Sequence, residues 1–229
     1  MKRTRDMKRL VFTTSCLNEA GNAVELHQRC RAIHREITNN IEGATDIGFG
    51  MIIADNCSQD RTLEILKGIS KEDKDVLVLA NACNYGPEPS LAHALCHTRA
   101  GDVVVPLASD LQDPPEIALR LLRVLLSESD CDAVLAVKSR SSGNLLLRAC
   151  RNLYYVALGY SSRLRMVPRG FHGFGAYRYP VVEQALHYWK DSGLNLRMCL
   201  VNACHSQRSI SYEQADRHSG HSTYKGWDY

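Results

Sequence analysis

Five short apolar runs, each followed by a segment of helical periodicity or a turn, alternate over the first 140 residues of this chain. The runs are rich in β-branched and aliphatic residues, which is typical of buried strands. Alternation of this kind predicts an α/β fold, in which helices cover a mostly parallel sheet through right-handed crossovers. We expect strands at 9–14, 49–54, 75–80, 103–107 and 132–137, and helices at about 19–38, 62–69, 89–99 and 115–126.

The pattern changes after about residue 140. Residues 144–161 form an amphipathic pattern, for which we expect a helix packed on the core or, alternatively, one lying in a membrane interface. The glycines of His172-Gly-Phe-Gly175 suggest a flexible turn. A further helix is expected at 179–190, a late strand at 209–212 and a loop-like tail at 217–225. The length suits a single domain spanning residues 1–229.

Composition excludes several classes of protein. Hydrophobic residues make up 45% and charged residues 23%, as in ordinary globular domains. A net charge of +3 argues against a dedicated nucleic-acid binder. The nine cysteines include no C-x-x-C pair, so free thiols in a reduced, cytoplasmic protein are expected. Neither a signal peptide nor a run of roughly 20 apolar residues is visible.

Polar and acidic residues follow three of the expected strands, as Asn18-Glu19, Asp55-Asn56 and the stretch from Ser109 to Asp113. Parallel strands end at one edge of their sheet, so these groups should meet in one crevice, where such folds hold charged ligands and metals. The third stretch runs into Pro114-Pro115, which favours an abrupt turn from strand to helix. The alternative is structural, because an acid before proline often only caps a helix.

Six motifs occur in chain order and together resemble one family. They are Leu17-Asn18-Glu19, Asp55-Asn-Cys-Ser-Gln-Asp-Arg-Thr62, Asn84-Tyr-Gly86, Ala108-Ser-Asp-Leu-Gln-Asp-Pro-Pro-Glu116, His172-Gly-Phe-Gly-Ala-Tyr177, and Ile210-Ser-Tyr-Glu-Gln214 with Arg217, Gly220 and Ser222. The chain thus resembles the family-2 glycosyltransferases of GT-A fold, in particular the branch of dolichyl-phosphate mannose synthase and polyprenyl-phosphate glucosyltransferases.

The resemblance implies an inverting enzyme that moves a hexose from a UDP- or GDP-linked sugar to a polyprenyl or dolichyl phosphate. Residues 1–138 would bind the nucleotide sugar, and residues 139–229 would form the acceptor side. Asp110 and Gln112 would hold Mg²⁺ or Mn²⁺, which prefer oxygen ligands. Asp110, Arg140, Arg148 and Arg217 would form the catalytic set, the arginines contacting phosphates. The implied donor-binding residues are Ser15, Leu17, Asn18, Glu19, Asp55, Cys57, Asn84, Gly86, Ser109 and Asp110.

Three of these residues also have a purely structural interpretation. Arg148 would then be a helix-surface residue, Arg140 a loop cation, and Glu19 an acid in the first helical turn. Many bacterial members of the branch continue into membrane helices, whereas this sequence stops at Tyr229. The expectation is therefore either a longer natural chain or a peripheral protein that reaches the cytoplasmic face of a membrane through residues 144–161. Two other functions remain open: transfer to a soluble acceptor, and nucleotide-sugar binding without turnover.

The chain departs from the family pattern at several positions. Ala108 replaces the first Asp of D-x-D, so weaker metal binding is expected unless Asp113 or the diphosphate compensates. Asn56 replaces an Asp, and Cys57 replaces a Gly, which restricts that turn. Gly175 and Arg178 replace the usual Arg and Asp of the acceptor loop. No carboxylate lies near Gly170 in the sequence to act as general base, which favours a phosphate nucleophile that is already anionic.

Overall fold

The computed structural model describes residues 7–41, 44–139 and 167–214. Its strands are β1 (Arg9–Cys16), β2 (Gly48–Asp55), β3 (Val76–Ala80), β4 (Asp102–Pro106), β5 (Ala133–Lys138), β6 (Phe171–Arg178) and β7 (Gln207–Tyr212). Its helices are α1 (Ala23–Asn40), α2 (Thr62–Glu72), α3 (Pro87–Leu95), α4 (Ile117–Ser127), α5 (Tyr179–Ser192) and α6 (Leu196–Ala203). The α/β alternation predicted for the first 140 residues is confirmed, with element ends shifted by up to four residues.

The seven strands form one mixed sheet in the order β3-β2-β1-β4-β6-β5-β7. Neighbouring pairs are parallel except at β6, which runs antiparallel to both β4 and β5. The other six strands therefore share one direction, and their carboxyl ends lie at one edge of the sheet. That edge is where ligands bind in open α/β sheets.

Apolar side chains on both faces of the sheet make the core. On one face, Leu26 of α1, Leu66 of α2 and Leu121 of α4 pack with strand residues such as Phe12 and Met51. On the other face, helices α3, α5 and α6 cover the sheet through a second cluster that includes fully buried Tyr177. Three layers result, which explains why the central strands consist of nearly continuous apolar runs.

The prediction of a flexible turn at His172-Gly-Phe-Gly175 is wrong, because these residues lie inside β6. The glycines instead permit close packing. A Cβ atom on Gly175 would stand 2.8 Å from the hydroxyl oxygen of Tyr177 and 2.9 Å from the carbonyl oxygen of Val134. Glycine within a strand often marks such a close approach. The arginine that the resembled motif carries at position 175 has no room here.

Two helices differ from expectation. Helix α1 begins at Ala23 rather than Glu19, because the chain first passes through Asn18 at φ 57° and a turn closed by the bond from Asn22 N–H to Glu19 O. Helix α6 was not predicted, although Asn195 caps it by accepting a hydrogen bond from Met198 N–H. None of the helices in the described ranges is long and apolar enough to cross a membrane. The segments predicted at 144–161 and 217–225 lie outside the described residues.

Candidate functional site

Three loops at the carboxyl edge of the sheet form the candidate site. The first loop (17–22) follows β1, the second loop (56–61) follows β2, and the third loop (107–116) follows β4. Hydrogen bonds join the first two: Asn18 N–H donates to Ser58 Oγ over 3.0 Å, and Asn18 Oδ1 accepts from Gln59 N–H over 2.8 Å. The third loop is joined to the end of β1 by the bond from Ser109 Oγ to Ser15 O, 2.9 Å long. The groups predicted to converge at this edge are therefore brought together.

Each of these loops contains one residue in the left-handed backbone region. They are Asn18 at φ 57°, Cys57 at φ 64° and Leu111 at φ 59°, and no other non-glycine residue in the described ranges has a positive φ. This conformation is disfavoured by about 1–2 kcal/mol for most residues with a Cβ atom, such as Cys57 and Leu111, whereas asparagine adopts it more readily. It persists only where surrounding contacts enforce it, and such residues cluster at functional sites.

Asp55, the last residue of β2, is buried, with 1% of its surface exposed. Its Oδ2 accepts a hydrogen bond from Ser58 N–H over 3.2 Å. Its buried Oδ1 has no hydrogen-bond partner among the described residues. An unpaired carboxylate oxygen in the protein interior is unfavourable, and a ligand N–H donor would satisfy it.

The acids of the first two loops are tied to neighbouring groups. Glu19 N–H donates to Thr62 Oγ1 over 2.8 Å, while its carboxylate accepts from Asn22 Nδ2 over 2.5 Å. Burial alone would raise the pKa of Asp60, but hydrogen bonds from Thr62 and Ala20 prevail and lower it. These contacts hold the first loop against the start of α2. Glu19 is thus a residue of the loop that precedes α1, not of its first turn.

Side-chain amides connect the second loop to the segment after β3. Asn56 Nδ2 donates to Asn84 Oδ1 over 2.7 Å, and Asn84 Oδ1 also accepts from Gly86 N–H over 2.9 Å. Beside this network lies an open pocket of about 300 Å³, which the sequence did not predict. It is lined by Ala80, Asn81, Ala82, Tyr85, Pro89 and His93. The signal in the sequence was the polar Asn81 directly after an apolar strand, as Asn56 is after β2.

The third loop carries the predicted metal ligands. Asp110 Oδ1 accepts from Gln112 N–H over 3.2 Å, and Gln112 Oε1 accepts from Gln214 Nε2 over 3.2 Å. Both side chains thus supply oxygen atoms from one short loop. No group of three or more His, Cys, Asp or Glu suited to a metal occurs within 7–41, 44–139 and 167–214. Because Mg²⁺ is commonly held by one or two carboxylates together with substrate phosphates, this donor set fits a cation shared with a diphosphate.

Asp113, which the sequence suggested as a substitute metal ligand, is engaged by other side chains of the protein. It is buried, and its Oδ1 accepts from the Tyr212 hydroxyl over 2.7 Å and lies 3.2 Å from Lys138 Nζ. Burial and the adjacent carboxylate raise the pKa of Tyr212 far above its ordinary value, so the phenol stays a donor. At the far end of the same loop, Glu116 accepts both arms of the Arg29 guanidinium over 2.7 and 2.5 Å, which lowers the pKa of Glu116.

The three arginines of the predicted catalytic set, Arg140, Arg148 and Arg217, lie outside the described residues. Ser139, the last described residue before Arg140, donates its N–H to Tyr212 O over 2.8 Å. Arg178, which replaces an acid of the resembled motif, lies at the opposite edge of the sheet. There its guanidinium donates to the carbonyl oxygens of Cys131 and Leu125 over 3.0 and 2.9 Å. These bonds link the segment before β5 to the last turns of α4.

Comparisons with known proteins agree with this geometry. The model of the family described as glycosyl transferase family 2 matches residues 16–186. The bactoprenol glucosyl transferase of Shigella phage SfX is 29% identical over 181 residues, covering 77% of this chain and 57% of that protein. The undecaprenyl-phosphate 4-deoxy-4-formamido-L-arabinose transferase of Pseudomonas fluorescens is 27% identical over 208 residues, covering 90% and 58%. The chain therefore spans less than three fifths of the length of these two relatives.

Solved structures share the fold. S. aureus TarS 1-349 in complex with UDP-GlcNAc superimposes with a TM-score of 0.58 at 17% identity, over 94% of this chain and 60% of that one. Glucosyl-3-phosphoglycerate synthase of Mycobacterium tuberculosis, in complex with Mn²⁺, UDP-glucose and phosphoglyceric acid, gives 0.57 at 17% identity, over 95% and 74%. These neighbours are GT-A glycosyltransferases, and the mostly parallel sheet described above is of the same fold.

Proposed function

Because the chain belongs to glycosyl transferase family 2, we propose that it transfers a hexose from a UDP- or GDP-linked sugar to a polyprenyl phosphate, with inversion at the anomeric carbon. The observation that carries the proposal is the buried Oδ1 of Asp55 where the loops meet, which has no hydrogen-bond partner within 7–41, 44–139 and 167–214. Two relatives named for bactoprenol and undecaprenyl phosphate support the choice of acceptor.

The nucleotide would bind across the ends of β1, β2 and β4. Asp55 Oδ1 would accept an N–H of the base, and the pocket of about 300 Å³ beside Asn81 gives that part of the ligand room. Backbone and side-chain groups of the connected loops would hold the ribose and the diphosphate. This donor set comprises Ser15, Leu17, Asn18, Glu19, Asp55, Cys57, Asn84, Gly86, Ser109 and Asp110.

Charge on the departing diphosphate has to be neutralised. Asp110 and Gln112 would hold Mg²⁺ or Mn²⁺ jointly with the phosphate oxygens, and the cation would supply that neutralisation. A structural neighbour that was solved with Mn²⁺ and UDP-glucose supports a divalent cation beside the donor. Arg140, Arg148 and Arg217 would add guanidinium groups, whose planar geometry suits phosphate oxygens.

A lipid phosphate is already anionic at neutral pH, so its oxygen can attack the anomeric carbon without a general base. This suits a chain in which the resembled motifs lack an acid near Gly170. Residues 1–138 would bind the donor, and residues 139–229 would receive the acceptor beside a membrane. The lipid substrate itself requires contact with the membrane surface, for which the predicted amphipathic segment 144–161 is suited.

The proposal is tested by incubating the purified chain with UDP-glucose or GDP-mannose, Mn²⁺ and undecaprenyl phosphate in detergent, and following sugar in the lipid fraction. The Asp55→Asn variant should raise the KM for the donor about tenfold or more, because a bond to a charged acceptor contributes about 1.5–3 kcal/mol. The matched control is Asp46→Asn, at an exposed acid before the other end of β2. Transfer to soluble sugars alone would contradict the lipid acceptor, and an unchanged KM in Asp55→Asn would contradict the donor site.

A second candidate is nucleotide-sugar binding without turnover. It is favoured by Ala108 together with the engagement of Asp113 by Tyr212 and Lys138, which leaves Asp110 and Gln112 as the proposed metal ligands of the third loop. Calorimetry would then show donor binding without donor hydrolysis and without dependence on Mn²⁺. Lipid-linked product in the transfer experiment would exclude this candidate.

A further inference from the structure

A buried cluster of Lys138, Asp113 and Tyr212 lies where three segments meet at the carboxyl edge of the sheet. Lys138 ends β5, Tyr212 ends β7, and Asp113 belongs to the third loop after β4. The side chains of Lys138 and Asp113 are only 13% and 8% exposed. A carboxylate buried in this way needs its donors, since losing one leaves a poorly compensated charge.

The end of β7 makes further contacts that converge on the same loop. Gln214 Nε2 donates to Gln112 Oε1 over 3.2 Å. The carbonyl oxygen of Tyr212 accepts from Ser139 N–H over 2.8 Å and from Ser139 Oγ over 3.0 Å. Tyr212 is therefore bonded through its hydroxyl to the third loop and through its backbone to the residue that precedes Arg140.

We propose that Tyr212 is a positioning residue for the third loop: by holding Asp113 it fixes where Asp110 and Gln112 present their oxygen atoms. The inference rests on the proposed function, in which those oxygens face a cation and a diphosphate. Leu111, between the two ligands, adopts φ 59°. A strained backbone of this kind relaxes when the contacts around it are loosened, so loss of the phenol donor would shift the ligands on either side.

Loss of the Tyr212 hydroxyl should lower turnover and weaken the response to the cation more than it weakens binding of the base. Asp55 lies on β2 and accepts a hydrogen bond from Ser58 N–H. Among the described residues, no hydrogen bond joins Asp55 to Lys138, Asp113 or Tyr212. Misplacement of reacting groups by about 1 Å lowers rates by up to about a hundredfold. The variant of choice is Tyr212→Phe, which keeps the ring that packs edge-on against Phe174 at 5.9 Å.

For Tyr212→Phe we expect a kcat reduced about tenfold or more, a higher Mn²⁺ concentration for half activity, and unchanged UDP affinity without cation. The matched control is Tyr179→Phe, which also removes a phenol–carboxylate bond, to Glu183 over 2.9 Å, but on α5 at the opposite edge. Equal losses in both variants, with the same Mn²⁺ response, would overturn the inference.

Hydrogen–deuterium exchange of the unliganded chain separates this inference from the proposed function. Peptides from residues 108–116 should exchange faster in Tyr212→Phe than in Tyr179→Phe, whereas peptides from 17–22 should not. Gln214→Ala provides a second variant at an exposed position, with a smaller increase expected in the same peptide. A wild-type chain without transferase activity would contradict the proposed function alone, while unchanged exchange at 108–116 in both variants would contradict the positioning role.

Discussion

The side-chain amide of Asn56 donates to Asn84 Oδ1 over 2.7 Å, and backbone groups fix the orientation of both amides. Asn56 Oδ1 accepts from Tyr85 N–H over 2.9 Å, and Asn84 Oδ1 accepts from Gly86 N–H over 2.9 Å. Because a backbone N–H can only donate, the oxygens of both amides must face those groups. Asparagine at position 56 is therefore matched to its partner, although the resembled motif has aspartate there.

Asn56→Asp should destabilise the chain by about 1–3 kcal/mol, because a carboxylate oxygen would then face the carbonyl oxygen of Asn84 and the donor would be lost. Chemical denaturation of the variant and the wild type measures the difference. The double-mutant cycle with Asn84→Ala provides the control, since the substitution should be less harmful once the opposing oxygen is gone. Equal costs in both backgrounds would show that the two amides are not coupled.

Gly175→Ala should destabilise the chain by about 1–3 kcal/mol, since a new Cβ in a packed strand forces its neighbours aside. The obstacles are Tyr177 Oη at 2.8 Å and Val134 O at 2.9 Å. Gly68→Ala in α2 is the matched control, because nothing lies within 4 Å of its Cβ position. That substitution should raise the free energy of unfolding by up to about 1 kcal/mol through helix propensity. Similar effects at both positions would contradict the packing argument.

Stability should fall in acid through Asp73. Burial alone would raise the pKa of Asp73, but hydrogen bonds from Arg31 and His27 outweigh it and lower the pKa from 3.8 to about 2. A lowered folded-state pKa stabilises the fold above the unfolded value, and this contribution is lost as pH falls from about 4 towards 2. Because the Asp73 side chain is partly exposed, we expect this contribution to the free energy of unfolding to be about 1 kcal/mol.

Denaturation between pH 2 and pH 6 gives the free energy of unfolding as a function of pH. The wild type should lose stability as the pH falls, and Asp73→Asn should remove this part of the slope. Asp75→Asn is the control, because its carboxylate contacts the same Arg31 but is 55% exposed. The control should keep the wild-type slope. A slope unchanged in Asp73→Asn would show that another carboxylate is responsible.

Ala108→Asp should strengthen cation binding by adding a third oxygen donor to the loop that carries Asp110 and Gln112. We expect the Kd for Mn²⁺ in the presence of UDP to fall about tenfold, equivalent to about 1.4 kcal/mol. Titration calorimetry of the variant against wild type measures it, and Ala100→Asp, on the exposed turn before β4 at the opposite edge of the sheet, controls for the added charge. Equal Mn²⁺ affinity in all three proteins would argue against a cation at Asp110.

The alternation of strands and helices was predictable because each element's periodicity is local, and burial on two faces leaves nearly continuous apolar strands. The meeting of Asn18, Asp55 and Ser109 followed from it, since parallel strands end together. The antiparallel β6 did not follow. The glycines at 173 and 175 are typical of a turn in the sequence, and only the fold shows that Gly175 makes room for the side chain of Tyr177.

The sequence alone determined which polar groups stand at the strand ends, because that depends on spacing along the chain. Only the tertiary structure decided which of them remain available to a ligand. Asp113 and Asp55 are both acids that follow or end a strand, yet one is engaged by Tyr212 and Lys138 while the other keeps an unpartnered Oδ1 among the described residues. The partners of Asp113 come from β5 and β7, 25 and 99 residues away, and contacts over such separations are set by packing, which no local pattern encodes.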